Sequence, residues 1–379
     1  MSKPSLPIES RRTLPFLSRK AGLLLFAFAL LAGNAQSADA ADDHLVFVQQ
    51  PTNTVAGSSI APAVTVEIRD ENGDPTTSTA SVTVVLANNP GGGTLGGTTT
   101  VSAVNGTATF SDLSIDKTGT GYSLTASSSG LTDDTSSTFD ITAAADDHLV
   151  FIQEPTDATA GNTINPAVTV EIHDQFGNLT SSTATVSIAI DTNPSSGTLS
   201  GSTSVSAVNG TATFSDLSID KAGTGYTLTA SSSGLTGDTS SSFNITAAAD
   251  DHLVFIQEPT DATAGNTISP AVTVEIHDQF GNLTSSTASV TVAIGANPSS
   301  ATLSGTTIVS AVNGTATFSD LSIDKAGVGY TLTASATGLT GDTSSAFNIT
   351  AGTSDHLTFV QQPTNTAGLM VLPAISLRT

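Results

Sequence analysis

The stretch Ala63-Val64-Thr65-Val66-Glu67-Ile68-Arg69 alternates apolar and polar residues with a period of two. Val64, Val66 and Ile68 face one way and Thr65, Glu67 and Arg69 the other, which is the pattern of a half-buried β-strand. The same strand returns as Val168, Val170, Ile172 and again as Val272, Val274, Ile276, at a fixed spacing of 104 residues. A fixed period of this kind means one structural unit used several times.

The period extends outward from this strand. His44, His148, His252 and His356 each open one phrase: DDHLVFVQQPT, DDHLVFIQEPT, DDHLVFIQEPT and SDHLTFVQQPT. The spacing predicts repeat 1 at 41–145, repeat 2 at 146–249, repeat 3 at 250–353 and a truncated start of a fourth at 354–379. A unit of this length is the usual size of one domain. Residues 355–379 have too few strands to bury a core and are expected to be loosely held or to add an edge strand to repeat 3.

Within repeat 1, further strands are predicted near 44–50, 82–87, 98–104, 106–111, 121–127 and 137–142. Thr, Ser, Val and Ile dominate them, and turn signals separate them, among them Glu71-Asn72-Gly73-Asp74 and Asn105-Gly106. No helical period runs beyond the N-terminal segment. The fold class expected is all-β: tandem Ig-like antiparallel β-sandwiches of about seven strands each, in an elongated array. Tyr122, Tyr226 and Tyr330 are the only tyrosines, one per repeat, each two places before a Leu. That position suits a tyrosine corner, in which the hydroxyl bonds back across the turn before the penultimate strand.

Composition narrows the function. The formal charge is −23, and five of the ten Lys and Arg lie in the first 20 residues. So acidic a chain repels nucleic acid and anionic lipid heads, and nucleic acid is not expected as a partner. Cysteine is absent, which removes disulfides and thiolate metal sites. Residues 1–40 read as a signal peptide: a basic stretch to Lys20, an apolar run from Ala21 to Ala32, then small residues with Ala38-Asp39-Ala40 as a cleavage candidate. The run is too short to span a bilayer. The mature part is therefore expected to be secreted or at the cell surface, without membrane insertion, monomeric and elongated.

Val66 through Asp74, and the sharper copies Val170-Glu171-Ile172-His173-Asp174-Gln175-Phe176-Gly177-Asn178 and Val274 through Asn282, resemble the V-x-D-x-x-G-N signature of bacterial Ig-like domains of the invasin/intimin type and of long bacterial repeat adhesins. The resemblance covers about residues 42–353 and implies module type rather than activity. In that family most modules are stalk, and binding is usually confined to a distal tip, which is not recognisable here. Repeat 1 departs from the signature, with Asp74 where the others have Asn178 and Asn282.

Chemistry is sparse. The histidines recur one per junction with no second His or Cys beside them in sequence, and are expected to pack against the neighbouring module. No Ser/His/Asp set, phosphate loop or dinucleotide fingerprint is distinguishable. The paired carboxylates Asp42-Asp43, Asp146-Asp147 and Asp250-Asp251, with Asp70, Asp174 or Asp278 from a nearby loop, could supply oxygen ligands for Ca2+, which would then stiffen the joints. The competing reading is a solvated acidic cap with no ion, and no cofactor other than Ca2+ is suggested.

The linkers Thr142 to Asp147 and Thr246 to Asp251 are short and lack Gly and Pro, so semi-rigid joints are expected. With a strand rise of about 3.3 Å per residue, three modules in line would reach roughly 100–120 Å. Near-identical repeats fit a non-enzymatic stalk or spacer of a surface adhesin. They equally allow a multivalent binder of polysaccharide or of a host or matrix protein, or an accessory region of an extracellular hydrolase.

Overall fold

The computed structural model describes residues 41–357 and 360–361, all without helix. The expected signal peptide at 1–40 and most of the expected fourth copy, including its edge strand, lie outside the described residues. Residues 354–357 belong to no strand.

The first module holds eleven strands: β1 Asp42–Gln49, β2 Thr54–Val55, β3 Val64–Asp70, β4 Ser81–Asn88, β5 Leu95–Gly96, β6 Thr100–Ser102, β7 Thr107–Phe110, β8 Ser114–Ile115, β9 Gly119–Ser127, β10 Asp134–Thr135 and β11 Phe139–Thr142. One sheet runs β1-β3-β7, and the facing sheet runs β2-β11-β9-β4-β6, with β10 on β9. Seven of these match the alternating segments of the sequence. The other four are two-residue ladders, too short to carry a pattern. β2 pairs in parallel with β11, and β5 with β8 ties a loop across the sandwich end.

Alternation places the core. β3 has the burial pattern of a strand covered on one face only, with Val64, Val66 and Ile68 fully buried. They meet Phe110 of their own sheet and Val82, Val84, Leu124 and Phe139 of the facing sheet in one cluster. Equivalent clusters surround Val168 to Ile172 and Val272 to Ile276. Each module therefore closes its own apolar core, the requirement for an independently folding sandwich.

The corner tyrosines are fully buried. Tyr122 Oη donates to Lys117 O, Tyr226 Oη to Lys221 O and Tyr330 Oη to Lys325 O, each at 2.9 Å. Burial pushes the Tyr122 and Tyr226 hydroxyls up from the usual phenol value, so they remain donors. The bond pins the segment that precedes β9 and its counterparts, and that segment forms one wall of the joint between modules.

Candidate functional site

The turn after β3 is built alike in all three modules. Its Asp accepts from two amides within the turn: Asp70 Oδ1 from Asn72 and Asp74, Asp174 Oδ1 from Phe176 and Asn178, and Asp278 Oδ1 from Phe280 and Asn282, all at 2.9 Å. A short Asp side chain that bonds its own backbone ahead specifies this turn. Gly177 and Gly281 complete it at φ of 73° and 74°, a region that glycine occupies at little cost.

In modules 2 and 3 this turn does more than reverse the chain. It reaches back and clasps the module before it. Asn178 Nδ2 donates to Asp116 O at 2.8 Å while Asn178 Oδ1 accepts from Thr118 N–H at 3.1 Å. Lys117 Nζ donates to the carbonyl of Phe176. The Phe176 ring packs against the first module's core over Gly57. A Cβ on Gly57 would fall 2.1 Å from that ring, so a larger residue there would have to displace the ring. The second joint repeats each contact: Asn282 Nδ2 to Asp220 O and Ala222 N to Asn282 Oδ1, both at 2.9 Å, Lys221 Nζ to Phe280 O, and Phe280 over Gly161 with the same 2.1 Å limit.

The linker is held from the other side. Ala144 N–H donates to Asp174 Oδ2 at 2.8 Å and Ala248 N–H to Asp278 Oδ2 at 2.7 Å. Asp174 and Asp278 are thereby fully buried at the centre of each joint. Burial raises their pKa, but donation from the Asn178 or Asn282 side chain and from the turn and linker amides outweighs it and holds both below the usual carboxylate range. Each is an ionised hub whose charge is spread over four N–H donors.

The calcium candidates sit apart in function. Both oxygens of Asp174 and Asp278 face N–H donors. Asp146 and Asp250 accept from the Ser182 and Ser286 hydroxyls. Asp147 and Asp251 pair with His148 and His252 at 2.9 and 3.0 Å. Among the described residues no three His, Cys, Asp or Glu are grouped as metal ligands.

The histidines find their ring partners within their own modules. Pairing of its strand with Val168–Asp174 sets His148 beside His173, edge to face at 5.8 Å, and His252 lies likewise beside His277. His173 in turn bonds Glu171 at 2.8 Å, and its side chain is only 16% exposed. The first module has Arg69 at this place, bridged to Glu67 at 2.9 Å. His173 and His277 stand in the sequence at outward positions of their strands, but their pairing with His148 and His252 was not legible because the partners lie across the ladder, 25 positions along the chain.

Phe176, Phe280, Asn178, Asn282, Lys117 and Lys221 were also not identified from sequence as joint residues. The available signal was the contrast with repeat 1, which has Asn72 and Asp74 where the others have Phe and Asn. Beside each joint lies an open cleft of about 630–640 Å³, lined mainly by small and hydroxyl-bearing residues such as Thr180, Ser181, Ser182 and Asn209.

No family model and no curated protein matches this chain. Solved structures do. The Escherichia coli adhesin FdeC matches at 18% identity and a TM-score of 0.37, covering 83% of this chain and 98% of that one. Invasin, a bacterial integrin-binding protein, matches at 18% and 0.30, covering 79% of this chain and 59% of that one. The Yersinia pseudotuberculosis adhesin InvE matches at 16% and 0.26, covering 69% and 67%. At these identities and scores the matches assign neither an activity nor a partner to this chain.

Proposed function

We propose that this chain is a non-enzymatic extracellular stalk: sandwich modules held in line by repeated joints so that they carry something away from a cell surface. The observation that carries this reading is the clasp itself. Two successive joints use the same aromatic seat, the same asparagine bridge and the same buried aspartate, so both junctions are built alike. A chain whose output is reach needs stiff, uniform joints. A chain that displays one dedicated site needs one module unlike the others, and the second and third modules are nearly identical. The acidic surface keeps such an array soluble and unassociated. Export through residues 1–40 and display at the surface complete the reading.

Small-angle X-ray scattering on residues 41–353 tests it. A rod of roughly 100–120 Å is expected from the strand rise. A compact particle would sink the stalk reading.

One observation favours a second reading. The two hydroxyl-lined clefts recur at the same place beside both joints, and repetition gives avidity to weak sites. A multivalent binder of glycan or matrix protein would show binding that grows steeply from one module to three on a glycan and matrix-protein panel, whereas a plain spacer shows none.

A further inference from the structure

The joint has a polarity. The following module gives the Asp-x-Phe-Gly-Asn turn, and the preceding module receives it on a face made of Gly57, Asp116, Lys117 and Thr118, or Gly161, Asp220, Lys221 and Ala222. The first module offers the receiving face but not the turn. Asn72 replaces the aromatic, and Asp74, a carboxylate, cannot donate to a carbonyl as Asn178 does.

The third module carries the receiving face once more, as Gly265, Asp324, Lys325 and Ala326, and among the described residues it is open. Nothing among the described residues lies within 4 Å of a Cβ on Gly265, although its φ of 78° matches Gly57 and Gly161. Ala264 is only partly buried where Ala56 and Ala160 are 3% and 1% exposed. Asp324, Lys325 and Ala326 are exposed where their two sets of counterparts are half-buried. Lys325 Nζ folds back onto Ser300 O of its own module at 2.8 Å.

We propose that this end of the third module is a docking surface for the Asp-x-Phe-Gly-Asn turn of a further sandwich of the same kind. The proposal rests on the stalk reading and gives it a direction: the array can be lengthened at the C-terminal end of the third module by a sandwich that carries this turn. The fit is set by chemistry already seen twice. The glycine leaves room for an aromatic ring, the carbonyl of Asp324 and the amide of Ala326 are spaced for one carboxamide, and Lys325 can turn to a turn carbonyl. A second copy of this chain is not the occupant, because Phe176 and Phe280 are engaged and the first module lacks the ring.

The test extends the chain after Thr353 with a second copy of residues 250–353, whose core is self-contained, in place of 354–379. Amide exchange is read at Ala326, with Ala222 in the same molecule as the internal standard. The Ala326 amide is expected to slow at least about tenfold, towards Ala222, as it gains the carboxamide acceptor. The same extension carrying Phe280→Asn and Asn282→Asp in the added copy is expected to leave it fast. Ala326 equally fast in both extensions, or equally slow in both, would overturn the proposal. Scattering on the same samples keeps the two ideas separate: a compact particle with a protected Ala326 would remove the stalk and leave the docking surface standing.

Discussion

The turn at Asp70–Asp74 and the turn at Asp174–Asn178 share their backbone hydrogen bonds, their glycine and their place after the central strand, yet only the second crosses to another module. The difference lies in two side chains, Asn72 against Phe176 and Asp74 against Asn178. One local motif therefore has two separable parts. The aspartate and glycine make the turn, and the aromatic and carboxamide make the joint. Conditions that act on the first part should disturb every module, and those that act on the second should disturb only modules with a predecessor.

The largest effect is expected at the hub. Asp174→Ala strips the acceptor from buried amides of Phe176, Asn178 and Ala144, and orphaned buried donors cost about 1–3 kcal/mol each, partly recovered by water. A loss of about 2–4 kcal/mol from the second module is expected in a urea melt, together with release of the joint. Asp70→Ala removes only turn contacts among the described residues and is expected to cost less. Equal losses would mean that the linker amide contributes nothing.

Acid acts on the same group. Its pKa is depressed in the folded chain, so its contribution is complete above the unfolded value of about 3.9 and is lost as pH falls through the lower folded value. Between pH 7 and 5 the joints should not change, and bending in scattering should begin only below about pH 4.

Next comes the aromatic seat. Gly161→Ala and Gly265→Ala carry the same left-handed backbone penalty, about 1–2 kcal/mol. Only Gly161→Ala also drives a methyl into the Phe280 ring. The second joint is therefore expected to open in the first variant and to stay closed in the other. Scattering gives the joint angle, and melts give the shared backbone cost.

How much of this was legible beforehand follows from the range of each interaction. The seven alternating strands and the buried tyrosines were readable because a period of two and a fixed offset from a core Leu are local signals. The joint was not, because Lys117 and Phe176 lie 59 positions apart and nothing in a single turn says that its ring faces a neighbour. The junction aspartates stayed open between a calcium set and a solvated acidic cap for a related reason: carboxylates clustered in sequence look the same in both until the N–H donors around them are placed. Repeat 1 held the clue, since Asn72 and Asp74 stand where the clasping repeats have Phe176 and Asn178.

A smaller effect is expected at the corner. Tyr226→Phe removes the hydroxyl that holds Lys221 O, and a lost neutral hydrogen bond costs about 1 kcal/mol or somewhat more. Tyr330→Phe should cost the third module a similar amount. Only Tyr226→Phe should also raise amide exchange at Ala222, because Lys221 and Ala222 form the occupied receiving face. A rise at Ala326 of the same size in Tyr330→Phe would mean that the corner and the joint are not connected.

The smallest expected effect is that of calcium. The oxygens of Asp174 and Asp278 already accept from four N–H groups, and a cation would have to displace donors that cost free energy to leave buried and unpaired. Asp146, Asp147, Asp250 and Asp251 each have a protein partner. The remaining acidic surface can gather divalent ions only as a diffuse, screened atmosphere, which leaves joint angles unchanged. Scattering from residues 41–353 is thus expected to give the same length with millimolar calcium and with chelator. A rod that shortens or bends in chelator would reverse the comparison drawn above, because the joints would then depend on a ligand set that the clasp does not contain.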